Sequence, residues 1–410
     1  MTSLDFSALH DVSTVFSIAN QALKLTSAED IEPILENLAK VTKVTKLDFS
    51  GNTIGIEASR ALSKFISDNA SVKDHLLEIN FADLYTSRLV DEVVESLTIF
   101  VPVWLQCPKL SIVNLSDNAF GLRTIDSLES YISQAAQLQH LILSNNGMGP
   151  FAGERIGKAL YKLAQLKKSQ GKSMLETFIC GRNRLENGSA THLALGLKAH
   201  GSGLKTVRLY QNGIRPQGVA VLIKYGLYYN TNLQVLDLQD NTFTTSASLI
   251  LAEILPVWRE SLVELNVNDC LLKGPGSDAV IKVLTQYKFN NLHRLKLQYN
   301  ELTQETFESS LLPALQSENL PALKFLELNG NRLEEDSDAL NELEESFDGE
   351  VDELDDLEEI ESDEEEEEEE EDGEGTNEEL MSAAEIEAIE KTLTELQVED
   401  LTNDLAKASI

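Results

Sequence analysis

Residues 233–243 read LQVLDLQDNTF, with leucines at 233, 236 and 238 followed by Asn241 and Phe243. In an extended chain Leu236 and Leu238 share one face while Asp237 and Gln239 share the other. An amide side chain placed just after such a strand, where the backbone must turn, can bond the peptide groups that the strand leaves open. The pattern L-x-x-L-x-L-x-x-N-x-L recurs along the chain, and a recurring unit of this size decides the architecture.

Copies begin at Val44, Leu76, Leu110, Leu138, Leu175, Leu204, Leu233, Leu262, Leu292 and Leu323, in steps of 32, 34, 28, 37, 29, 29, 29, 30 and 31 residues. Their ninth places hold Asn52, Leu84, Asn118, Asn146, Asn183, Asn212, Asn241, Cys270, Asn300 and Asn331. The asparagines form an expected buried ladder. Cys270 fits it as a small group with a weak donor, and Leu84 does not. Between copies, apolar residues fall at helical steps, as in Ala58, Leu62, Phe65 and Ile66 or Ile156, Leu160 and Leu163.

One strand and one helix per repeat predict an α/β leucine-rich repeat solenoid. This would be a curved parallel β/α superhelix like the ribonuclease inhibitor, of about ten to eleven repeats. Residues 1–43 read as an N-terminal cap with a strand at Ala22–Leu25 and a helix around Ile31–Leu38. Residues 44–345 are the repeat domain, and 346–410 a disordered acidic tail.

The net charge of −36 is unevenly spread. From Glu334 to Ile410 there are 36 acidic residues against Lys391 and Lys407, which leaves −34 in the tail and −2 before it. Asp363 to Asp372 is unbroken carboxylate, a solvated segment able to draw in a basic partner. Beyond it, Ile386, Ile389, Leu393 and Leu396 have the spacing of one face of an amphipathic helix.

Hydrophobic residues make up 42% of the chain, with no run of membrane-spanning length and no leader-like N-terminus, so a soluble intracellular protein is expected. Cys107, Cys180 and Cys270 are odd in number and far apart, as in a reducing compartment. Phosphate loops, nucleophile elbows and paired metal-ligand motifs are missing, and the six histidines are scattered. No metal, cofactor, nucleic acid or membrane is expected, nor catalysis by this chain alone.

What the repeat offers is surface. The residue before each ladder place gives the row Gly51, Asp83, Asp117, Asn145, Arg182, Gln211, Asp240, Asp269, Tyr299 and Gly330, a polar rim suited to a protein partner. The rule breaks at Leu84, where FADLYTSRLVDE (81–92) brings Arg88 into an irregular loop, and at the doubled Asn145 and Asn146.

The strings SGNTIG (50–55), FADLYTSRLVDE (81–92), NLSDNAFG (114–121), NNGMGPFAG (145–153), CGRNRLENGS (180–189), QNGIRPQG (211–218), LDLQDNTFT (236–244) and NDCLL (268–272) resemble those of the fungal Ran GTPase-activating proteins. The resemblance extends over nearly the whole chain. It implies stimulation, in trans, of the slow GTP hydrolysis of the small GTPase Ran, with GTP and Mg²⁺ held by Ran. It also implies that Asn145 orients the catalytic glutamine of Ran in place of an arginine finger. Arg88 would contact Ran, with Asp83, Asp117, Arg182, Asp240 and Asp269 as further rim contacts.

The expected partner is Ran in its GTP form, with a Ran-binding protein as a possible third member, and the chain itself a monomer. The family's role in nucleocytoplasmic transport and nuclear export implies a cytoplasmic location, with a nuclear-envelope or nuclear pool besides. The rival reading is an acidic leucine-rich protein that binds histones or other basic proteins through its tail. A second rival is a scaffold or inhibitor resembling the ribonuclease inhibitor.

Overall fold

The computed structural model describes residues 4–357 and 382–408, with side chains of the last helix as far as residue 395. The acidic run 363–372 and the side chain of Leu396 lie outside the described residues. The chain divides into two compact units, Met1–Asn183 and Arg184–Ile410.

In the first unit the strands Val15–Ser17, Lys46–Asp48, Glu78–Asn80, Ile112–Asn114, His140–Ile142 and Thr177–Ile179 pair in that order, all parallel. Their central residues, Phe16, Leu47, Ile79, Val113, Leu141 and Phe178, stand in register, and the last five are fully buried. Helices such as Ile56–Asp68 and Gly149–Ser169 return the chain to the next strand. They bury Ala58, Leu62 and Ile66, and Ile156, Leu160 and Leu163. Where the second repeat departs from the rule, aromatic rings fill the interior. Phe81 lies 5.6 Å from Phe49, 5.4 Å from Phe100 and 5.8 Å from Trp104, which reaches Tyr131 at 5.6 Å.

The expected cap elements are present as a strand, Lys24–Leu25, paired with Thr53–Ile54, and a helix, Ala28–Leu38. Ser27 and Asp30 close that helix's first turn, each side chain accepting the other's backbone N–H. Ahead of them the cap holds a feature the sequence hid: Val15–Ser17 pairs in register with Lys46–Asp48 as a further copy of the repeat strand. That register puts Ser13 where the motif has leucine.

The second unit repeats the plan with Thr206–Arg208, Val235–Asp237, Glu264–Asn266, Arg294–Lys296, Phe325–Glu327 and Glu350–Val351, again all parallel and in order. The last of these lies past residue 345, inside the stretch whose composition reads as tail. There Asp352 accepts from the backbone N–H groups of Leu328 at 2.8 Å and Asn329 at 3.0 Å. The helix Ala383–Ala408 buries Ile386 and Leu393, and its Glu390 bonds Lys198 Nζ at 2.7 Å. Two residues of the amphipathic face read from sequence, Ile386 and Leu393, are therefore covered, and the Glu390 pair ties this helix to Glu186–His200.

The ladder follows one rule in both units. Asn118 Nδ2 donates to the carbonyls of Phe81 and Leu115, both at 2.9 Å, while Asn146 Oδ1 accepts the Asn118 N–H at 2.9 Å. Asn300 Nδ2 donates to Val267 O at 2.7 Å. Cys270 takes its place through Sγ, 3.3 Å from Leu238 O. Leu84 has no amide to contribute, yet it is fully buried and its own N–H still donates to Asn118 Oδ1 at 2.7 Å.

Because Asn300 also accepts from Cys270 N–H at 3.2 Å and Leu272 N–H at 3.3 Å, Asn300→Ala orphans several buried groups. At about 1–3 kcal/mol for each group left without a partner, urea unfolding should show a loss of about 2–5 kcal/mol. A change below about 0.5 kcal/mol would contradict the ladder account. A chain stopped after Ser346 should also unfold at lower temperature than one stopped after Leu357, since only the latter keeps the Glu350–Val351 strand and Asp352; equal midpoints would show that this segment stabilises nothing.

Candidate functional site

All ten rim residues have positive φ, from Asp83 at 49° to Gly330 at 70°. The left-handed turn lets these N–H groups reach the neighbouring repeat, as from Asp83 to Ser116 O at 3.0 Å, Asp117 to Ser144 O at 2.9 Å, Asn145 to Gly181 O at 2.9 Å and Asp240 to Asn268 O at 3.0 Å. Asp, Asn and Gly enter this conformation most easily, which explains why they fill most of the row. Its geometric result is that side chains from Asp83 through Tyr299 stand exposed at the strand ends while the next residue, the ladder Asn, turns inward.

In the first unit, Asn145 donates from Nδ2 to Asp117 Oδ1 at 2.8 Å. A carboxylate only accepts, so this bond decides which end of the amide faces Asp117 and leaves Oδ1 as the outward acceptor. Asp83 is engaged within its own loop, accepting from Thr86 Oγ1. Arg182 is exposed and has no ion-pair or hydrogen-bond partner among the described residues.

Within the irregular loop read in the sequence, the structure encloses Arg88. Its side chain is only 11% exposed. Nε donates to Thr53 Oγ1 and Nη2 to Thr26 Oγ1, both at 2.9 Å, and Nη1 lies 3.8 Å from Glu92. Tyr85 anchors the same loop from below, with its hydroxyl 3.0 Å from Ser96 Oγ, which lies 2.7 Å from Ser59 Oγ. Burial raises the Tyr85 hydroxyl's pKa, so it remains a neutral hydrogen-bonding group. The loop is thus fastened to the cap by Arg88.

Four exposed apolar residues follow the rim turns of these same repeats: Leu89 and Val90, Leu122, and Phe151. The ion pair of Arg123 with Asp91, and that of Arg155 with Asp126, place the three repeats' helix starts side by side. In the second unit the corresponding helix starts are Pro216, Thr244, Gly274 and Gln304. Sequence reading missed the apolar set because it lies outside the repeat motif.

The rim of the second unit is more self-contained. Gln211 Nε2 donates to Asp240 Oδ2 at 3.1 Å, and Tyr299 donates its hydroxyl to Asp356 at 3.0 Å. Desolvation, then the neighbouring Asp240, raises the Asp269 carboxyl. The outward strand positions there pair with one another, with Arg208 3.8 Å from Asp237 and 3.6 Å from Glu264, and Lys296 2.7 Å from Glu327.

Burial, opposed by Arg208, pushes Asp237 up to about 6 from its ordinary 3.8. A raised pKa adds stability below the unfolded value and loses it as pH rises through the folded one. The loss therefore falls between about pH 4 and pH 6.5, and a shift of about 2 units corresponds to about 3 kcal/mol. Asp237→Asn should flatten the stability curve across that window; curves parallel to wild type would contradict the assignment.

The strands, the ladder and the exposed turn row define a leucine-rich repeat protein. A leucine-rich repeat family model matches residues 229–246. The chain is 66% identical over 348 residues to Ran GTPase-activating protein 1 of Saccharomyces cerevisiae, covering 85% of this chain and 86% of that protein. It is 35% identical over 212 residues to Ran GTPase-activating protein 2 of Caenorhabditis elegans, over 51% of this chain and 22% of the relative. It is also 32% identical over 226 residues to the Ran GTPase-activating protein of Drosophila melanogaster, over 53% and 36%. The chain belongs to the family of Ran GTPase-activating proteins.

Proposed function

We propose that this chain accelerates GTP hydrolysis on Ran by docking the rim of its first unit against the GTPase, with Asn145 orienting Ran's catalytic glutamine toward the attacking water. The observation that carries this is the Asn145 amide. It is exposed, held by a left-handed turn, and pinned through Nδ2 so that Oδ1 can accept from a glutamine amide. Fixing one partner in advance removes part of the entropy lost in assembling the reactive geometry. Docking would also remove bulk water, with Leu89, Leu122 and Phe151 as apolar contacts beside the polar rim.

An arginine finger must be free to reach a developing phosphate charge. Arg88 is committed to Thr26, Thr53 and Glu92, and its role in this reading is to hold the 81–92 loop in shape for contact. Arg182 is exposed and is assigned to association. Nucleotide and Mg²⁺ are Ran's own, so the chain supplies no catalytic centre. It would act as a monomer from the cytoplasm, keeping Ran in the GDP form and helping to release export complexes, alone or with a Ran-binding protein. That cellular part rests on the family resemblance.

Single-turnover hydrolysis by GTP-loaded Ran at increasing activator concentration separates the roles. Asn145→Ala should lower the saturating rate by about 10²-fold or more, comparable to removing one transition-state hydrogen-bonding group. Arg88→Ala and Arg182→Ala should mainly raise the concentration needed for half-saturation, the latter more at low salt than at high. Loss of the saturating rate with unchanged half-saturation in either arginine variant would restore the finger.

A further inference from the structure

We infer that Asp117 is a positioning residue for the reaction, setting the Asn145 amide in the one orientation that presents its carbonyl oxygen outward; the inference rests on the role given to Asn145 above. Asp117 stands one repeat before Asn145 in the same row. Both have left-handed backbones, with φ of 61° and 53°, and both N–H groups are fixed to the following strand-end carbonyls at 2.9 Å. The two side chains therefore start from neighbouring anchored positions, and the Nδ2 to Oδ1 distance is 2.8 Å.

A free asparagine amide has two flips of nearly equal shape, one presenting an acceptor and one a donor. Orienting a glutamine requires a defined polarity, since its own amide also has two ends. A carboxylate neighbour removes the ambiguity because it accepts and cannot donate. An asparagine at position 117 would keep the turn conformation, which Asn enters readily, but could accept from or donate to Asn145. Asp117→Asn therefore tests polarity without removing the side chain, and Asp117→Gly removes it while remaining compatible with positive φ.

In single-turnover assays on GTP-loaded Ran, both variants should lower the saturating rate about tenfold, the value of one charge-assisted hydrogen bond, with half-saturation within about twofold of wild type. A residue that merely supported the fold would not produce this split. In the Asn145→Ala background, Asp117→Gly should cause no further loss, because there is no amide left to orient. Losses that multiply in the double variant, or a wild-type saturating rate for Asp117→Asn beside a slow Asn145→Ala, would overturn the inference while leaving the Asn145 reading intact. A wild-type rate for Asn145→Ala would overturn both.

Discussion

The molecule depends on the satisfaction of peptide groups where each short strand ends. Strands of three residues cannot carry their pairing around a turn, so carbonyls such as Leu115 O and N–H groups such as Asn118 N would be buried without partners. The ladder side chain supplies those bonds, and the left-handed residue before it sends its own N–H to the next repeat. One constraint therefore fixes two adjacent residues in opposite senses. The ninth place is inward and, except at Leu84, small and polar, whereas the eighth is turned outward with its backbone locked and favours residues that enter the left-handed region.

That pairing explains why so much was legible in sequence. The inward residue is chemically restricted, so Asn241 or Asn300 announces its repeat, and Cys270 fits once its Sγ is seen to donate to Leu238 O. The outward row could be read off by position alone. What escaped notice did so for local reasons. The strand Val15–Ser17 was hidden because Ser13 stands at a leucine place, and Glu350–Val351 because acidic composition masked the pairing. Asp352 and Asp356 read as solvated tail, yet they bond Leu328, Asn329 and Tyr299.

The site was half legible. Position put Asn145 in the rim row and the family resemblance gave it a role, but nothing in the letters showed that Asp117 holds its amide. The letters place Arg88 in an irregular loop and do not show that partners 35 and 62 residues away in sequence enclose it. Such long-range contacts have no signature in a repeat pattern. They also add a structural task for the arginine, since a guanidinium bonded to Thr26 and Thr53 holds the loop.

Strand-end geometry thus makes a scaffold whose variable positions are presented rigidly, and in the proposed mechanism that rigidity is what the partner's active site would use. In that proposal the orienting Asn145 supplies no charge of its own, so its contribution would depend on being in place before the partner arrives. The most direct test is single-turnover GTP hydrolysis on purified Ran with the wild-type chain in excess. The account predicts a saturable acceleration of about 10³-fold or more. No acceleration at micromolar concentrations of correctly folded chain would contradict it.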